Sequence, residues 1–173
     1  MFLRIVSVWL LALGMPVAGW AMDNTSPIHI ESDSLDIDDS RGISTYRGNV
    51  VFRQGGSQLW ADEIVIYIKN RQRLEKVEAL GQPARFKLVP DDKRQEVTTG
   101  EAARIEYRDE AGIMLLRGQA NLLQAGNVFS GDVIEYDTLK RVVRAGKVVD
   151  ARSEGRVKVT ILPRQADEQG AAP

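Results

Sequence analysis

Four short segments of the chain share one pattern of polar and apolar positions, in which an acidic residue is followed by apolar residues two and four positions later. A spacing of two places both apolar side chains on the same face of an extended strand. The pattern therefore predicts four strands that each have an apolar face. Their acids and apolar pairs are Asp33 with Leu35 and Ile37, Asp62 with Ile64 and Ile66, Glu101 with Ala103 and Ile105, and Asp132 with Ile134 and Tyr136.

Each of these strands is followed by a second segment that contains a glycine, at Gly48, Gly81, Gly118 and Gly146. Because glycine inside a strand usually marks a bulge or a bend, we predict that each one is the corner where a strand pair turns. The unit recurs about every 30 residues, which is typical of stacked hairpins and solenoids. Between the strands, "RQGGSQ" and "QAGNV" predict hairpin turns, and "VPDDKRQ" predicts a longer polar loop.

No window between residues 27 and 162 has sustained helical periodicity, and the strand segments are rich in Val, Ile and Tyr, as pleated surfaces favour. We therefore predict an all-β fold of stacked strand repeats, with no significant helix in the mature domain. The repeated apolar faces leave two interpretations open. They form a filled core, or two of them oppose each other across a gap that holds an apolar ligand.

The N-terminus has the layout of a secretory signal peptide. Arg4 precedes an apolar run over residues 5–13, and the small residues Gly19 and Ala21 follow. The run is shorter than the roughly 20 residues of a membrane-spanning helix. We predict a signal peptide over 1–21, a flexible N-terminus over 22–26, one domain over 27–163 and a disordered tail over 164–173. The sequence therefore predicts a protein that is secreted to the periplasm or the exterior.

Composition narrows the classes of function. The formal net charge is −1, which argues against nucleic-acid binding, since that requires a clustered basic surface. The chain has one histidine, His29, and no cysteine, so it lacks the usual zinc ligands and any Cys–His couple. In "DIDDSRG", Arg41 stands where a calcium loop needs glycine. We predict no catalytic residue, no metal site and no cofactor.

Both ends of the predicted stack are apolar strands. "PIHIES" contains Ile28 and Ile30, and "RVKVTIL" alternates apolar with polar residues. An unpaired edge is a template for another strand, so pairing with a partner by strand addition is plausible at either end. The alternative is that the basic residues of the second segment protect its edge. The predicted partner-edge residues are Ile28, Ile30, Val157, Val159 and Ile161.

The ordered series of segments resembles the LptA members of the OstA-like family of lipopolysaccharide transport proteins. The resemblance begins with "PIHIESDSLDID" and "YRGNVVFRQGGSQLWADEIVIY" and covers residues 27 to about 165. It continues in the same order through "GQPARF", "GEAARIEY", "LRGQANLLQ", "GDVIEYD" and "GRVKVTILPRQ".

This resemblance implies an antiparallel OstA-like β-jellyroll, or β-taco, in which two twisted sheets face each other over an apolar interior that binds lipopolysaccharide acyl chains. It places Ile28, Phe86 and Tyr107 in that interior. Together with the strand pattern, the predicted lipid-binding residues are Ile28, Leu35, Ile37, Ile64, Ile66, Phe86, Ile105, Tyr107, Ile134 and Tyr136.

The resemblance also implies partners. It predicts a periplasmic bridge, without enzyme activity, that joins an LptC-like inner-membrane partner at the N-terminal edge to an LptD-like outer-membrane partner at the C-terminal edge. Head-to-tail homo-oligomers are expected. Two alternatives are a scaffolding β-repeat protein with a filled core and a soluble shuttle that carries lipid without forming a bridge.

Overall fold

The structure is a computed structural model that describes residues 26–70, 72–90, 96–146 and 156–161. The predicted signal peptide, most of the segment 22–26 and the predicted tail 164–173 lie outside these residues, as do residues 91–95 of the predicted polar loop. Every regular element in the described part of the chain is a β-strand, which confirms the all-β fold without helix. The strands are β1 (Ile28–Glu31), β2 (Ser34–Asp38), β3 (Ile43–Gln54), β4 (Ser57–Lys69), β5 (Arg73–Leu88), β6 (Thr98–Arg108), β7 (Ile113–Gln124), β8 (Asn127–Asp137), β9 (Val142–Ala145) and β10 (Lys158–Ile161).

The strands form one antiparallel sheet in the order β1-β3-β4-β5-β6-β7-β8-β10, in which β2 also pairs with β3 and β9 also pairs with β8. The six long strands β3 to β8 are neighbours in sequence as well as in space. Two predicted hairpins are confirmed, because Gly55 and Gly56 join β3 to β4, and Ala125 and Gly126 join β7 to β8. The local connections explain how a chain of irregular repeats forms a single regular sheet.

Each interior strand pair has a register shift near its middle, and the shifts line up across the sheet. Such an irregularity bends the strand that carries it. Gly48, Gly81 and Gly118 lie within the shifts, and Gly48 and Gly118 have φ angles of 79° and 77°. Their predicted role as corners is confirmed. Gly146 follows β9 and donates its amide hydrogen to the Val133 oxygen, but the residues after it lie outside the described chain.

The line of shifts, called the bend below, divides the sheet into two leaves. Leaf A contains β1, β10 and the segments of the long strands nearest the turns at Gly55–Gly56 and Ala125–Gly126. Leaf B contains β2, β9 and the segments on the other side of the bend. The opening between the leaves opposite the bend is called the mouth. The implied pair of facing sheets is thus one continuous sheet, folded along its middle.

Cross-strand register shows which residues share the inner surface, because directly opposite residues point to the same face. In leaf B the row next to the bend, the bend row, is apolar from one edge to the other. Its members are Leu35, Tyr46, Ile64, Ala79, Ile105, Leu116, Ile134 and Ala145.

Two further rows complete the inner surface used below. In leaf B the mouth row contains Ile37, Ser44, Ile66, Val77, Tyr107, Met114, Tyr136 and Val143. In leaf A the opposing row contains Ile30, Phe52, Leu59, Phe86, Gly100, Leu122, Phe129 and Val159. Residues of both leaves pack into one hydrophobic cluster, so the leaves face each other.

One expectation about the strand faces is wrong. Ala103 is exposed, whereas Ile105, two residues later, is buried in the cluster. The register shift of β6 lies between Glu101 and Arg104, so it separates Ala103 from the regular alternation that places Ile105 inside. In β4, Asp62 is the last residue before pairing with the next strand resumes at Glu63. In β6 the equivalent residue, directly before Arg104, is Ala103 and not Glu101.

Candidate apolar binding groove

All ten predicted lipid-binding residues lie on the inner face of the folded sheet. Ile28 belongs to this face because it stands two residues before Ile30, which packs against the cluster. Phe86 lies in the opposing row of leaf A. The remaining eight occupy the bend row (Leu35, Ile64, Ile105, Ile134) and the mouth row (Ile37, Ile66, Tyr107, Tyr136).

Burial divides these ten residues into two groups. Ile28, Leu35 and Ile37 are 40%, 51% and 60% exposed, because among the described strands β1 and β2 each have a neighbour on one side only. The inner surface therefore continues, uncovered, to the N-terminal edge. The seven others are brought together in the buried cluster: Ile64, Ile66, Phe86, Ile105, Tyr107, Ile134 and Tyr136.

An apolar cleft opens between the leaves on the mouth side of this cluster. Its walls come from leaf A and leaf B in roughly equal parts, so it lies in the fold of the sheet rather than on an outer surface. Its cavity volume is about 40 Å³, so an acyl chain can enter it only when the two leaves move apart. The lining residues are Phe52, Gln54, Ser57, Gln58, Leu59, Leu74, Val77, Phe86, Leu88, Ile105, Tyr107 and Met114.

Sequence reasoning missed most of the cleft, including Phe52, Leu74, Val77 and Met114. All four lie on the second, glycine-containing strands, where the glycine was the only mark recognised in the sequence. The available signal was the alternation of apolar and polar residues within their own strands. Val77 and Ala79, for example, are both buried, and Glu78 between them is less buried. The register then places Val77 opposite Tyr107.

Uncharged polar side chains lie in the interior toward the mouth of leaf A. Gln54, Ser57, Thr98 and Gln124 are only 3–8% exposed. Ser57 Oγ accepts a hydrogen bond of 3.1 Å from the Val89 amide, and Gln54 Nε2 donates one of 3.3 Å to the Ser26 oxygen. Such bonds are required because a buried polar group without a partner is costly. The inner surface thus changes from hydrocarbon to amide and hydroxyl groups toward the mouth.

The Tyr107 side chain has a similar polar end in leaf B. Burial, together with the nearby negative charge of Asp109, raises the pKa of Tyr107 to about 12, and its hydroxyl hydrogen-bonds with Asp109 and Thr138. Burial also raises the pKa of Asp109, and the positive charge of Arg73 counteracts part of this rise. At neutral pH the phenol is therefore protonated, with an apolar ring in the cleft and a hydrogen-bonding group at the rim.

The C-terminal edge is apolar and uncovered like the N-terminal one. Val159 and Ile161 of β10 are 50% and 73% exposed, and Val157, directly before β10, is also exposed. Val159 lies opposite Phe129, so the opposing row of leaf A continues through it to the edge. All five predicted partner-edge residues thus lie at the two ends of the sheet, with Ile30 half-buried and the others exposed.

Within the described ranges, no three His, Cys, Asp or Glu side chains are grouped so that they could hold a metal ion. The same residues include no helix that is long and apolar enough to cross a membrane.

Together, the fold and the groove define a folded, two-leaved antiparallel sheet whose apolar inner surface reaches both edges. The chain belongs to the family described as "LptA/(LptD N-terminal domain) LPS transport protein", whose family model matches residues 29–142. The resemblance seen in the sequence is therefore confirmed.

The chain is similar over most of its length to curated members of this family. It is 30% identical over 158 residues to the lipopolysaccharide export system protein LptH of Pseudomonas aeruginosa, covering 90% of this chain and 87% of that protein. It is 30% identical over 162 residues to the lipopolysaccharide export system protein LptA of Escherichia coli strain K12, covering 92% and 84%. The Haemophilus influenzae LptA is 28% identical over 148 residues, covering 84% and 83%.

A solved structure has the same fold. The crystal structure of Pseudomonas aeruginosa LptH, described as the LptA-homologous periplasmic component of the conserved lipopolysaccharide transport device, superposes with a TM-score of 0.73 at 32% sequence identity. The match covers 82% of this chain and 99% of that chain.

Proposed function

We propose that this protein is a periplasmic lipopolysaccharide-binding bridge, which holds acyl chains between its leaves and passes them from an inner-membrane complex to an outer-membrane translocon. The observation that carries the proposal is the bend row, which is apolar from Leu35 to Ala145 and meets an uncovered edge at Leu35. A core that served stability alone would have no reason to extend its apolar surface to an open edge. The names of the relatives, which are lipopolysaccharide export proteins, support the same assignment.

The acyl chains are proposed to lie on the mouth side of the inner surface. Ile64 and Ile134 of the bend row are fully buried, so this part of the interior is already filled. The cleft lies between Val77 and Tyr107 of leaf B and Phe86 of leaf A. Each methylene group that moves from water into such a cleft gains about 0.8 kcal/mol. The filled core and the ligand groove are then two zones of one interior.

The two edges are proposed as the sites of assembly. An LptC-like partner would pair with the N-terminal edge at Ile28 and Ile30, and an LptD-like partner with the C-terminal edge at Val159 and Ile161. Strand addition would make the inner surfaces of neighbouring proteins continuous, because the apolar rows already reach both edges. Head-to-tail stacking of copies would lengthen the same surface.

The remaining assignments follow from the same proposal. A signal peptide over 1–21 would direct the chain to the periplasm, where the groove domain over 27–163 acts and the segment 164–173 is a tail. We propose no catalytic residue and no cofactor, because passive binding and transfer need neither.

Photocrosslinking tests lipid binding directly. Tyr107 and Arg108 are consecutive residues of β6, of which the first lines the cleft and the second is exposed. A photoreactive residue at position 107 is expected to label lipopolysaccharide, and one at position 108 to label it at least about tenfold less, since alternate residues of a strand face opposite sides. Equal labelling at the two positions would contradict the groove.

The bridge and the shuttle differ in what the edges do. A shuttle releases lipid into solution, whereas a bridge transfers it only through contact with its neighbours. Transfer from donor to acceptor vesicles that carry the two membrane complexes is therefore expected to require both edges. Transfer that persists when an excess of isolated partner domain covers one edge would favour the shuttle.

A further inference from the structure

Gln124 joins the two leaves across the mouth. Its Nε2 donates hydrogen bonds to the Tyr136 hydroxyl oxygen and to the Arg141 backbone oxygen, each at 3.3 Å. Gln124 ends β7 at the outer end of leaf A, whereas Tyr136 and Arg141 lie at the outer end of leaf B. The hydrogen bonds of Gln54 and Ser57, by contrast, stay within leaf A.

These bonds lie between the cleft and the C-terminal edge. Met114 on β7 is the lining residue of the cleft nearest that edge, and Tyr136 on β8 is directly opposite Met114. On the far side of Tyr136 comes Val143 of the edge strand β9. Toward the C-terminal edge of the sheet, the cleft therefore comes first, the cross-leaf hydrogen bonds come next, and the open edge comes last.

Burial makes the cross-leaf contact hard to displace. Gln124 is 8% exposed and Tyr136 is 3% exposed. An acyl chain offers no hydrogen-bond donor or acceptor, so a chain that slid between the two side chains would leave a buried amide and a buried hydroxyl without partners. Hydrocarbon can occupy the cleft up to Met114 without this cost.

We propose that Gln124 is a positioning residue that sets the C-terminal limit of the lipid-occupied groove, and that acyl chains pass this limit only when its hydrogen bonds to Tyr136 and Arg141 open. This proposal rests on the proposed lipid-binding function. It adds a barrier to lipid movement where Gln124 contacts Tyr136 and Arg141.

Two variants remove the contact to different extents. Gln124→Leu keeps a side chain of similar length and removes both hydrogen bonds, whereas Tyr136→Phe removes the hydroxyl acceptor alone. Thr98→Val is the matched control, because Thr98 is a buried polar residue of leaf A that does not line the cleft, and valine keeps its shape. Tyr136→Phe is nearly isosteric, so it supplies the answer if Gln124→Leu fails to fold.

The readout is the position at which lipopolysaccharide is labelled. A photoreactive residue is placed either at Leu74, which lines the cleft, or at Val143, beyond the cross-leaf bonds. The ratio of labelling at 143 to labelling at 74 is expected to rise about fivefold to tenfold in Gln124→Leu and by a smaller factor in Tyr136→Phe, in keeping with the loss of two hydrogen bonds or one. Thr98→Val is expected to leave the ratio as in the unmodified protein.

Spin labels measure the separation of the leaves themselves. The chain has no cysteine, so labels are readily placed at Leu123 on the outside of leaf A and at Lys140 in leaf B, both of which are exposed. Without lipid, the distance distribution is expected to be longer and broader in Gln124→Leu than in the unmodified chain. Lipopolysaccharide should lengthen the distance in the unmodified chain.

The outcomes distinguish the positioning role of Gln124 from the proposed lipid-binding function. Labelling at Leu74 with an unchanged ratio in both Gln124→Leu and Tyr136→Phe overturns the positioning role and leaves the proposed function intact. An identical distance distribution in the unmodified chain and Gln124→Leu overturns it as well. Absence of labelling at both Leu74 and Val143 overturns the proposed function, and the lipid limit with it.

Discussion

At the scale of single residues, the same apolar side chain has a different role according to its place along a row. Leu35 and Ile64 belong to the same bend row, but Leu35 is 51% exposed at the edge and Ile64 is fully buried in the middle. Complete burial of such a side chain contributes roughly 1.5–3 kcal/mol to folding. The middle of the row therefore stabilises the fold, and its end is available for contact with another molecule.

Aspartate substitutions test this difference. Ile64→Asp is expected to lower the free energy of unfolding by more than about 4 kcal/mol, because an unpaired carboxylate is strongly disfavoured in an apolar interior. Leu35→Asp is the control in the same row, and it is expected to cost less than about 1 kcal/mol. Urea denaturation followed by circular dichroism measures both. Similar losses in the two variants would show that the edge of the row is as closely packed as its middle.

The strand pattern predicted the inner face of seven of the ten site residues, and the family resemblance predicted that of Ile28, Phe86 and Tyr107, but neither predicted their burial. Alternation in Leu35–Ile37 and Ile64–Ile66 determines which side of a strand is apolar. Whether that side is covered depends on the number of neighbouring strands, which the local pattern does not contain. The cross-leaf hydrogen bonds of Gln124 could not be predicted either, since they depend on how far apart the two leaves lie.

At the scale of the strands, the bend is the feature that turns a flat sheet into a groove. Gly118 has a φ of 77°, a conformation that residues with a side chain adopt at a cost, and Gln119 next to it has a φ of 52°. A β-carbon added to Gly118 would also lie 3.0 Å from the Ala103 β-carbon. Ala103 belongs to the register shift of the neighbouring strand, so adjacent bends pack against each other.

Alanine substitutions of two strand glycines test the cost of the bend. Gly118→Ala is expected to destabilise the protein by about 1–2 kcal/mol, because the positive φ strains any residue with a β-carbon. Gly131→Ala is the control: it lies in β8, its φ is not positive, and an added β-carbon would meet no atom closer than 3.9 Å. It should be neutral or slightly stabilising. Thermal denaturation compares the two, and equal stability would mean that the bend does not depend on glycine at 118.

The bends also explain which corners of the repeat could be predicted from the sequence and which could not. Glycines marked the corners at Gly48, Gly81 and Gly118 correctly, since each coincides with a register shift. On the partner strands β4 and β6 the corner has no glycine, and in β6 it also has no acid, with Ala103 in that position. The corner of β6 therefore had no residue type that a sequence pattern could recognise.

At the scale of the whole molecule, the two edges are complementary. Among the described strands, β1 at the N-terminal edge and β10 at the C-terminal edge are antiparallel to β3 and β8, which themselves run in opposite directions. A β10 strand of one copy can therefore pair in antiparallel fashion with β1 of the next. The opposing row of leaf A begins at Ile30 and ends at Val159, so the row would continue from copy to copy.

Disulfide crosslinking tests this arrangement, because the unmodified chain has no cysteine. A mixture of Ile30→Cys and Val159→Cys chains is expected to form crosslinked dimers under mild oxidation, since paired residues of adjacent strands have α-carbons about 4.5–5.5 Å apart. A mixture of His29→Cys and Val159→Cys chains is the control, because His29 points to the opposite face. Crosslinking that is equally efficient in both mixtures, or absent from the first, would contradict stacking in this register.

Among the described residues, each edge of the sheet has two short strands on either side of the bend: β1 and β2 share the partner β3, and β9 and β10 share the partner β8. Each edge therefore presents two short, angled hydrogen-bonding strips instead of one long straight strip. An unfolded or amyloid-like segment is extended and can match only one strip, which at four or five residues is too short to hold it firmly. A chain that is itself broken at the same point can match both strips at once. We therefore expect the two edges to favour partners of the same architecture over extended, aggregation-prone chains.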